Sequence, residues 1–590
     1  MTLHIFPTQP LKWGGCHPKV MRYFAFACDF DETVANMGVV SKETLGALER
    51  LLASGRKLVL VTGRQLDDLR RIFPQLSLFE RVVAENGGVL FRPQTGETKL
   101  LAEPPPQVFI DALRRRGVSP LSTGSVIVAS QEPEDAKILA VIRELGLELQ
   151  VIYNKGAVMV LPSGVNKGTG LLAALSEMCI SHHNAVAIGD AENDHALLNA
   201  CECGIAVANA IQTLRERADL TTSAANGAGV QEVIARLLLD DLRGVRNRLQ
   251  RQPILLGTAA DGTRVSIDSC DTSFVIAGPS SSGKSTVMIG LLERLTQCDF
   301  QVCLIDPEGD YSHLEDIVTL SSAERAPSIT GIVQILHNPK SSLIINLLGL
   351  PLGERPLFLA SLLPKLQELR AKTGRPHWII LDEAHHLLPR ELGQAIGVLP
   401  HQLMGLILIT VHVETVLEAA LKSMSGIIAV GTSPEETIRQ FSNAIGVPPP
   451  VYSPLPSRPG DVFVWFLNGT HGPVAVRVQP ATSEIRRHRR KYAEGKLTPD
   501  RSFFFKGPAG KLNLRAHNLN MFIQIAEGLD DETWLFHLRR GDYSQWMRET
   551  IKDEGLANEV QEIEKDGKEG PLKTRSAVIE AINRRYTRSE

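Results

Sequence analysis

The sequence predicts an α/β chain: two successive units, each on a largely parallel sheet, followed by a mostly helical C-terminal region. Three observations predict it. Apolar strand-like runs alternate with amphipathic helical stretches over residues 21–240 and again over 253–480. In both stretches Gly-, Asp- and Lys-bearing motifs directly follow the apolar runs, at the edge where open α/β sheets bind ligands. A length of 590 residues also exceeds what one hydrophobic core can hold.

Residues 1–20 contain Pro and Gly without periodicity and lack the basic-then-apolar order of a secretory signal; they read as a disordered extension or an upstream start. Residues 23–28 and Lys57–Val61 are continuous apolar runs, as expected for strands buried on both faces. Between them, 41–52 has helical spacing, with Leu45, Leu48, Leu51 and Leu52 on one face and Ser41 as N-cap. The pattern changes over 92–164. Helices near 107–116 and 133–145 intersperse there with strands at 125–129, 149–153 and 157–161, a small α+β insertion before the parallel pattern resumes at 185–188. Residues 241–252 are polar and basic, a linker. A strand pair at 253–267, turned at Asp261-Gly262, opens the second unit. Region 481–590 reads as mostly helical, with short helices meeting at Gly541 and Trp534, Leu535, Leu538, Trp546 and Met547 as packing core.

With 43% hydrophobic and 22% charged residues the composition is ordinary for a globular chain, and a net charge of −3 excludes a protein that is basic overall. No apolar run reaches the ~18 residues of a membrane span. Eight cysteines fall within the first 303 residues without framework spacing, which fits a reducing cytoplasm. Cys201 and Cys203 lack a matching His/Cys pair and read as buried thiols.

Asp29 ends the first apolar run, where a carboxylate can attack phosphorus if a divalent cation offsets the repulsion between two anions. Asp31 is placed to protonate the leaving alkoxide and then activate water. The Thr62 hydroxyl suits the transferring phosphoryl group, and Lys167 suits the charge developing on it. Asp190 and Asp194 follow a further strand and would complete a metal shell with Asp29 and Asp31. On Asp29-Phe30-Asp31, Val61-Thr62-Gly63-Arg64, Ala84-Glu85-Asn86-Gly87-Gly88, Asn166-Lys167-Gly168 and the Gly189–Asp194 segment, residues 21–240 resemble a Cof-like phosphatase of the haloacid dehalogenase superfamily. That resemblance implies a Rossmann-like domain, Mg²⁺, a phosphoaspartate intermediate and a cap between the Thr and Lys motifs, where 92–164 falls. It points to a small phosphorylated metabolite as substrate. Glu32 departs from the pattern, standing where the family usually has Gly.

The second unit carries Gly278-Pro279-Ser280-Ser281-Ser282-Gly283-Lys284-Ser285-Thr286 between an apolar strand and a helix. Such a loop offers backbone N–H groups and a helix N-terminus to phosphates. Gly278, Ser282, Gly283, Lys284, Ser285 and Thr286 are the candidate ATP-binding residues, with Ser285 on Mg²⁺. Asp382, after the strand Trp378–Leu381, would hold the Mg²⁺, and Glu383 would polarise the attacking water. Together with the 304–312 segment and Asp382-Glu383-Ala384-His385, these residues resemble the HerA/FtsK-like branch of P-loop NTPases. The resemblance implies ATP hydrolysis and a homo-oligomer, commonly hexameric, with an arginine from a neighbour; Arg390 and Arg439 are candidates. Thr410 and His412 fall where a γ-phosphate sensor would lie, although the family often has Gln there. The stretch between Pro389 and Gly405 is short for a translocase.

The reading that results is a cytoplasmic, Mg²⁺-dependent phosphomonoester hydrolase fused to an ATP-hydrolysing domain. Two rivals stay open: a nucleic-acid motor with an accessory phosphatase fold, and a polynucleotide kinase–phosphatase. The basic stretch at 486–491 would favour nucleic acid, but a solvated or subunit-contact face explains it as well. A water-polarising Glu383 suits hydrolysis better than transfer to a hydroxyl.

Overall fold

The computed structural model describes residues 21–244, 254–267, 272–280, 282–311, 314, 317–392, 405–451, 460–467, 472–479, 481, 492, 497, 501–508, 510, 512–551, 553–566 and 570–586. The expected extension at 1–20, most of the linker at 241–252, the basic stretch at 486–491 and most of the segment before Gly405 lie outside them.

The apolar runs of the N-terminal unit pair side by side because nothing in them satisfies water. Ala25–Asp29 is buried along its whole length and pairs in parallel with Lys57–Val61 on one side and Ala185–Gly189 on the other. The full order is Leu220–Thr221, Cys203–Ala206, Ala185–Gly189, Ala25–Asp29, Lys57–Val61, Arg81–Ala84, Val89–Arg92, Glu97–Leu100; the first six are parallel and the last two antiparallel. Cys201 and Cys203 are buried in this core as thiols, in no disulfide. Helix Lys42–Ala53 starts at Ser41, whose hydroxyl accepts the Thr44 N–H at 3.1 Å. Its buried face is Thr44, Ala47, Leu48 and Leu51, whereas Leu52 is 36% exposed, so the buried face is turned by about 60° from the expected four-leucine stripe.

The insertion folds as a separate four-stranded antiparallel sheet, Ser122–Thr123, Val128–Gln131, Ala157–Pro162, Leu149–Asn154, backed by helices Gln107–Arg115 and Asp135–Leu145. It has its own core around Phe109, Leu113, Ile138, Val141, Val158 and Val160. The strand expected at 125–129 starts only at Val128. The Glu85 carboxylate takes the N–H groups of Ser125, Val126 and Ile127 at 3.0, 2.7 and 3.1 Å, which removes them from any ladder.

Among the described residues of the second unit eleven strands form one sheet. Seven are parallel, in the order Gly426–Ala429, Phe274–Ala277, Leu406–Thr410, Trp378–Leu381, Val302–Asp306, Leu343–Asn346, Val318–Leu320. The antiparallel strands Asp461–Phe466, Val474–Val478, Ile254–Ala259 and Arg264–Ile267 extend one edge. Among its described residues the C-terminal region is helical apart from one strand pair, Phe503–Phe505 with Leu514–Ala516, where three consecutive aromatics favour a pleated surface. Its core gathers Phe503, Phe505, Phe522, Trp534, Leu538, Tyr543, Trp546 and Met547, with Leu535 at the margin.

The two sheets meet back to back. His183 stacks on Phe300 with ring centroids 3.7 Å apart, and its Nε2 lies 2.6 Å from the Cys298 carbonyl. Arg375 donates to the Cys179 carbonyl at 2.8 Å, and His377 Nε2 lies 3.2 Å from Asn184 Oδ1. Each of these contacts lies at or before the start of Ala185–Gly189, Val302–Asp306 or Trp378–Leu381, so the opposite, C-terminal strand edges of both sheets point away from the junction. Among the described residues no helix is long and apolar enough to cross a membrane.

Candidate active sites

Three adjacent strands of the first sheet deliver the acidic cluster. Asp29 is the last residue of its strand, Asp190 follows Gly189, and Asp194 opens the next helix. Carboxylate oxygens of Asp29, Asp190 and Asp194 lie within 4.8 Å of one another, all buried. Asp194 is fixed by the backbone N–H groups of Asp190 and Ala191 at 2.9 and 3.0 Å, and a Cβ on Gly189 would stand 2.6 Å from its carboxylate. Asp190 accepts from Thr33 at 2.9 Å and from Lys155 at 2.5 Å.

Lys167 begins helix Lys167–Glu177, whose N-cap Asn166 and Thr169 form a reciprocal capping box. Its ammonium, almost fully buried, donates to Asp29 at 2.6 Å and Asp194 at 2.7 Å. Gly87 sets this lysine's position. At φ +107 it lies so close to Asn166 that a Cβ would stand 2.0 Å from the Asn166 carbonyl oxygen. Burial, then the Asp194 charge, push the Asp29 carboxyl well above the usual range, with Lys167 opposing them. Burial pulls the Lys167 ammonium down, but Asp194 and Asp29 outweigh it and raise its pKa. The three clustered carboxylates form a hard, oxygen-only donor set of a kind that suits Mg²⁺.

The fourth carboxylate offered by the sequence, Asp31, stands apart from this cluster. Arg64 grips it through two parallel bonds, Nε to Oδ2 at 2.8 Å and Nη2 to Oδ1 at 2.7 Å, while Nη1 reaches Asp68 at 2.6 Å. Thr62 is buried at the end of the neighbouring strand, its hydroxyl accepting the Arg64 N–H at 3.1 Å. Glu32 lies at φ +55, the left-handed region where Gly is favoured, and its carboxylate accepts the Met37 N–H at 3.0 Å. Asp29, Asp31, Arg64, Lys167 and Asp190 form the floor of a cleft of about 540 Å³, and Ser122, Ile127, Asn154, Lys155 and Met159 of the inserted sheet form its roof.

Two contributors were not assigned by the motifs. Glu85, inside a quoted motif, ties the roof to the floor through the three N–H groups above. Lys155 belongs to no motif; its signal was the two-residue Lys-Gly loop between two strand-like runs.

At the second sheet Gly283, φ +98, caps helix Lys284–Gln297, and Lys284 donates to the carbonyls of Gly278 and Pro279, both at 2.8 Å. A Cβ on Gly278 would stand 2.0 Å from the Val430 carbonyl, so the loop lies flat on the adjacent strand. The Ser282 hydroxyl is buried in the loop without a hydrogen-bond partner among the described residues, a donor suited to a phosphate oxygen. Ser285 is half-buried and Thr286 exposed. Asp382 is buried directly after Trp378–Leu381, and Glu383 adopts φ +44 at the start of helix Ala384–Leu387. Leu406–Thr410 separates the two strands, so the loop and Asp382 share one sheet edge, roughly 10 Å apart by strand spacing. Between them lies the buried Thr410, its hydroxyl 3.2 Å from His385 Nδ1. Burial and the neighbouring His386 push the His385 imidazole down to about 4, so its 3.5 Å approach to Glu383 is a contact of a neutral ring. The His412 side chain is exposed and turned to Glu414. Arg390 and Arg439 are exposed, Arg439 paired with Glu436.

Comparison with known proteins bears on both units. Residues 26–111 and 125–234 match the family model of haloacid dehalogenase-like hydrolases. A phosphoglycolate phosphatase of Methanothermobacter thermautotrophicus is 32% identical over 223 residues, covering 36% of this chain and 98% of that protein. The chain belongs to the haloacid dehalogenase-like hydrolase family. A second phosphoglycolate phosphatase, from Haloarcula marismortui, is 31% identical over 188 residues, 30% of this chain and 82% of its own length. A solved haloacid dehalogenase-like hydrolase from Bacteroides thetaiotaomicron aligns at 20% identity and TM-score 0.33 over 36% of this chain and 99% of its own. Residues 254–374 match the family model described as the central domain of helicase HerA. The chain is thus a hydrolase whose second unit carries a HerA-like domain.

Proposed function

We propose that residues 21–240 are a phosphomonoester hydrolase acting through an aspartyl-phosphate on Asp29, with 92–164 as its cap. Residues 253–480 bind and hydrolyse ATP, and 481–590 form a C-terminal domain. The observation that carries the first assignment is the convergence of Asp29, Asp190, Asp194 and Lys167 at one buried point on the cleft floor. Asp29 attacks phosphorus, and the departing alkoxide takes its proton from Asp31, which Arg64 holds at the cleft. Asp31 then removes a proton from the water that attacks the phosphoaspartate, so that phosphate leaves and Asp29 is regenerated. Thr62 and Lys167 hold the phosphoryl oxygens. Mg²⁺ held by Asp29, Asp190 and Asp194 would offset the repulsion between the nucleophile and those oxygens. The curated relatives are named for phosphoglycolate, which makes that ester the first to assay.

On the second sheet Lys284 and Ser282 hold phosphate oxygens, Ser285 and Asp382 are the residues for Mg²⁺, and Glu383 polarises water. Its left-handed backbone is a strained position of the kind that concentrates at working sites. Exposed Arg390 and Arg439 are available to a neighbouring copy in a homo-oligomer.

Paired variants test the assignment. Asp29→Asn should lower phosphate release from an aryl phosphate by at least about three powers of ten while ATP hydrolysis persists. Glu383→Gln should do the converse and still bind ATP. Full phosphatase activity in Asp29→Asn, or wild-type ATP turnover in Glu383→Gln, would contradict it.

A further inference from the structure

The cleft roof carries a single cation, and its backbone conformation is an unfavourable one. Lys155 and Gly156 form the two-residue turn joining Leu149–Asn154 to Ala157–Pro162, with φ of +47 and +83. A turn with both central residues left-handed favours Asn, Asp or Gly at its first position, and a long side chain there costs stability. Each of the other cations lining the cleft has a carboxylate partner on the floor: Arg64 with Asp31 and Asp68, Arg71 with Asp68, Lys167 with Asp29 and Asp194. Lys155 reaches down from the roof to Asp190, one of the three clustered carboxylates, and keeps 42% of its side chain exposed.

We infer that Lys155 is the specificity residue for the leaving group, selecting phosphomonoesters whose alcohol carries a carboxylate close to the ester oxygen. The inference rests on the proposed phosphatase reading and deepens it. A divalent ion held by Asp190 would compete with the lysine for the same carboxylate. The ammonium, anchored to the roof, would then be available to a leaving group in the cleft. Ser122 and Asn154 supply neutral hydrogen-bonding groups beside it, so an anionic leaving group finds its only roof-side counter-charge at Lys155 among the described residues. A cleft of about 540 Å³ accommodates a small ester of this kind.

Two non-hydrolysable ligands test this by calorimetry on the full chain with Mg²⁺: 3-phosphonopropionate, which carries the carboxylate, and propylphosphonate, which does not. The wild type should bind the first at least tenfold more tightly. Lys155→Asn, which suits the turn and so preserves the fold, should reduce that preference to under threefold, and Lys155→Arg should keep most of it. An unchanged preference in Lys155→Asn, no preference in the wild type, or equal weakening of both ligands would overturn the inference, the last marking a roof-to-floor latch. Binding of neither ligand overturns it as well. Wild-type hydrolysis of an aryl phosphate in that case would spare the phosphatase reading, and its absence would remove that too.

Discussion

Replacing Lys167 by Met would test the charge balance of the cleft floor. The substitution keeps the length and helix propensity of the side chain but removes the ammonium lying 2.6 Å from Asp29 and 2.7 Å from Asp194. Both carboxylates are nearly inaccessible, at 3% and 0% exposure, so water cannot replace the lost partner. Breaking a buried pair from one side costs about 3–5 kcal/mol. If exchange follows the opening equilibrium, amide exchange in the strands Ala25–Asp29 and Ala185–Gly189 should speed up roughly 150- to 5,000-fold in EDTA. The penalty should also depend on pH. Burial and Asp194 already hold the Asp29 carboxyl above its ordinary range, and losing Lys167 raises it further. A carboxyl with a raised folded pKa contributes stability below its unfolded value and loses it as the pH rises through the folded value. The variant should therefore be less compromised at pH 5 than at pH 8. Saturating Mg²⁺, worth about 2.7 kcal/mol at a hundredfold excess over Kd, should slow exchange in the variant. Exchange within threefold of the wild type in EDTA, or no response to Mg²⁺, would refute the assignment of Lys167 as the counter-charge of a metal-binding carboxylate cluster.

Two further outcomes follow from the geometry. Glu85→Ala orphans the N–H groups of Ser125, Val126 and Ile127; at about 1–3 kcal/mol per unsatisfied buried group, exchange there should rise and KM should increase, with Glu85→Gln milder. At the junction between the sheets, burial and then His183 hold His182 down to about 4, and burial holds His377 well below its ordinary value. Because the folded values are depressed, the contact is fully present above about 6.5 and weakens as the pH falls toward about 4. Exchange at 181–184 and 374–378 should increase over that window, and a flat profile would contradict the burial of neutral imidazoles there.

Much of both sites was legible because many of their residues end or directly follow an apolar run, and burial on both faces fixes the end of such a strand. Asp29, Thr62, Asp190 and the loop before Lys284 could all be placed in this way. What could not be read depended on partners distant in sequence. The strand at Val128 starts late because Glu85, 41 residues earlier, takes the Val126 N–H and engages the preceding turn. Asp31 leaves the carboxylate cluster because Arg64 holds it, a pairing that spacing alone does not reveal. The junction between the sheets draws on segments 193 residues apart, His377 and Asn184, with no local periodicity to announce them.

The central claim is that Asp29 becomes phosphorylated. An Asp31→Asn variant keeps the nucleophile but lacks the group proposed to protonate an alkoxide and then activate water, so with a leaving group that needs no proton the intermediate should accumulate. The reaction would be run with Mg²⁺ and an aryl phosphate, whose phenolate leaves without a proton from Asp31, then quenched in acid and reduced with borohydride, which converts an aspartyl-phosphate to homoserine. Tandem mass spectrometry should find homoserine at position 29 and unmodified aspartate at positions 190 and 194. Ester consumption with aspartate intact at position 29, or homoserine at another position, would contradict the account.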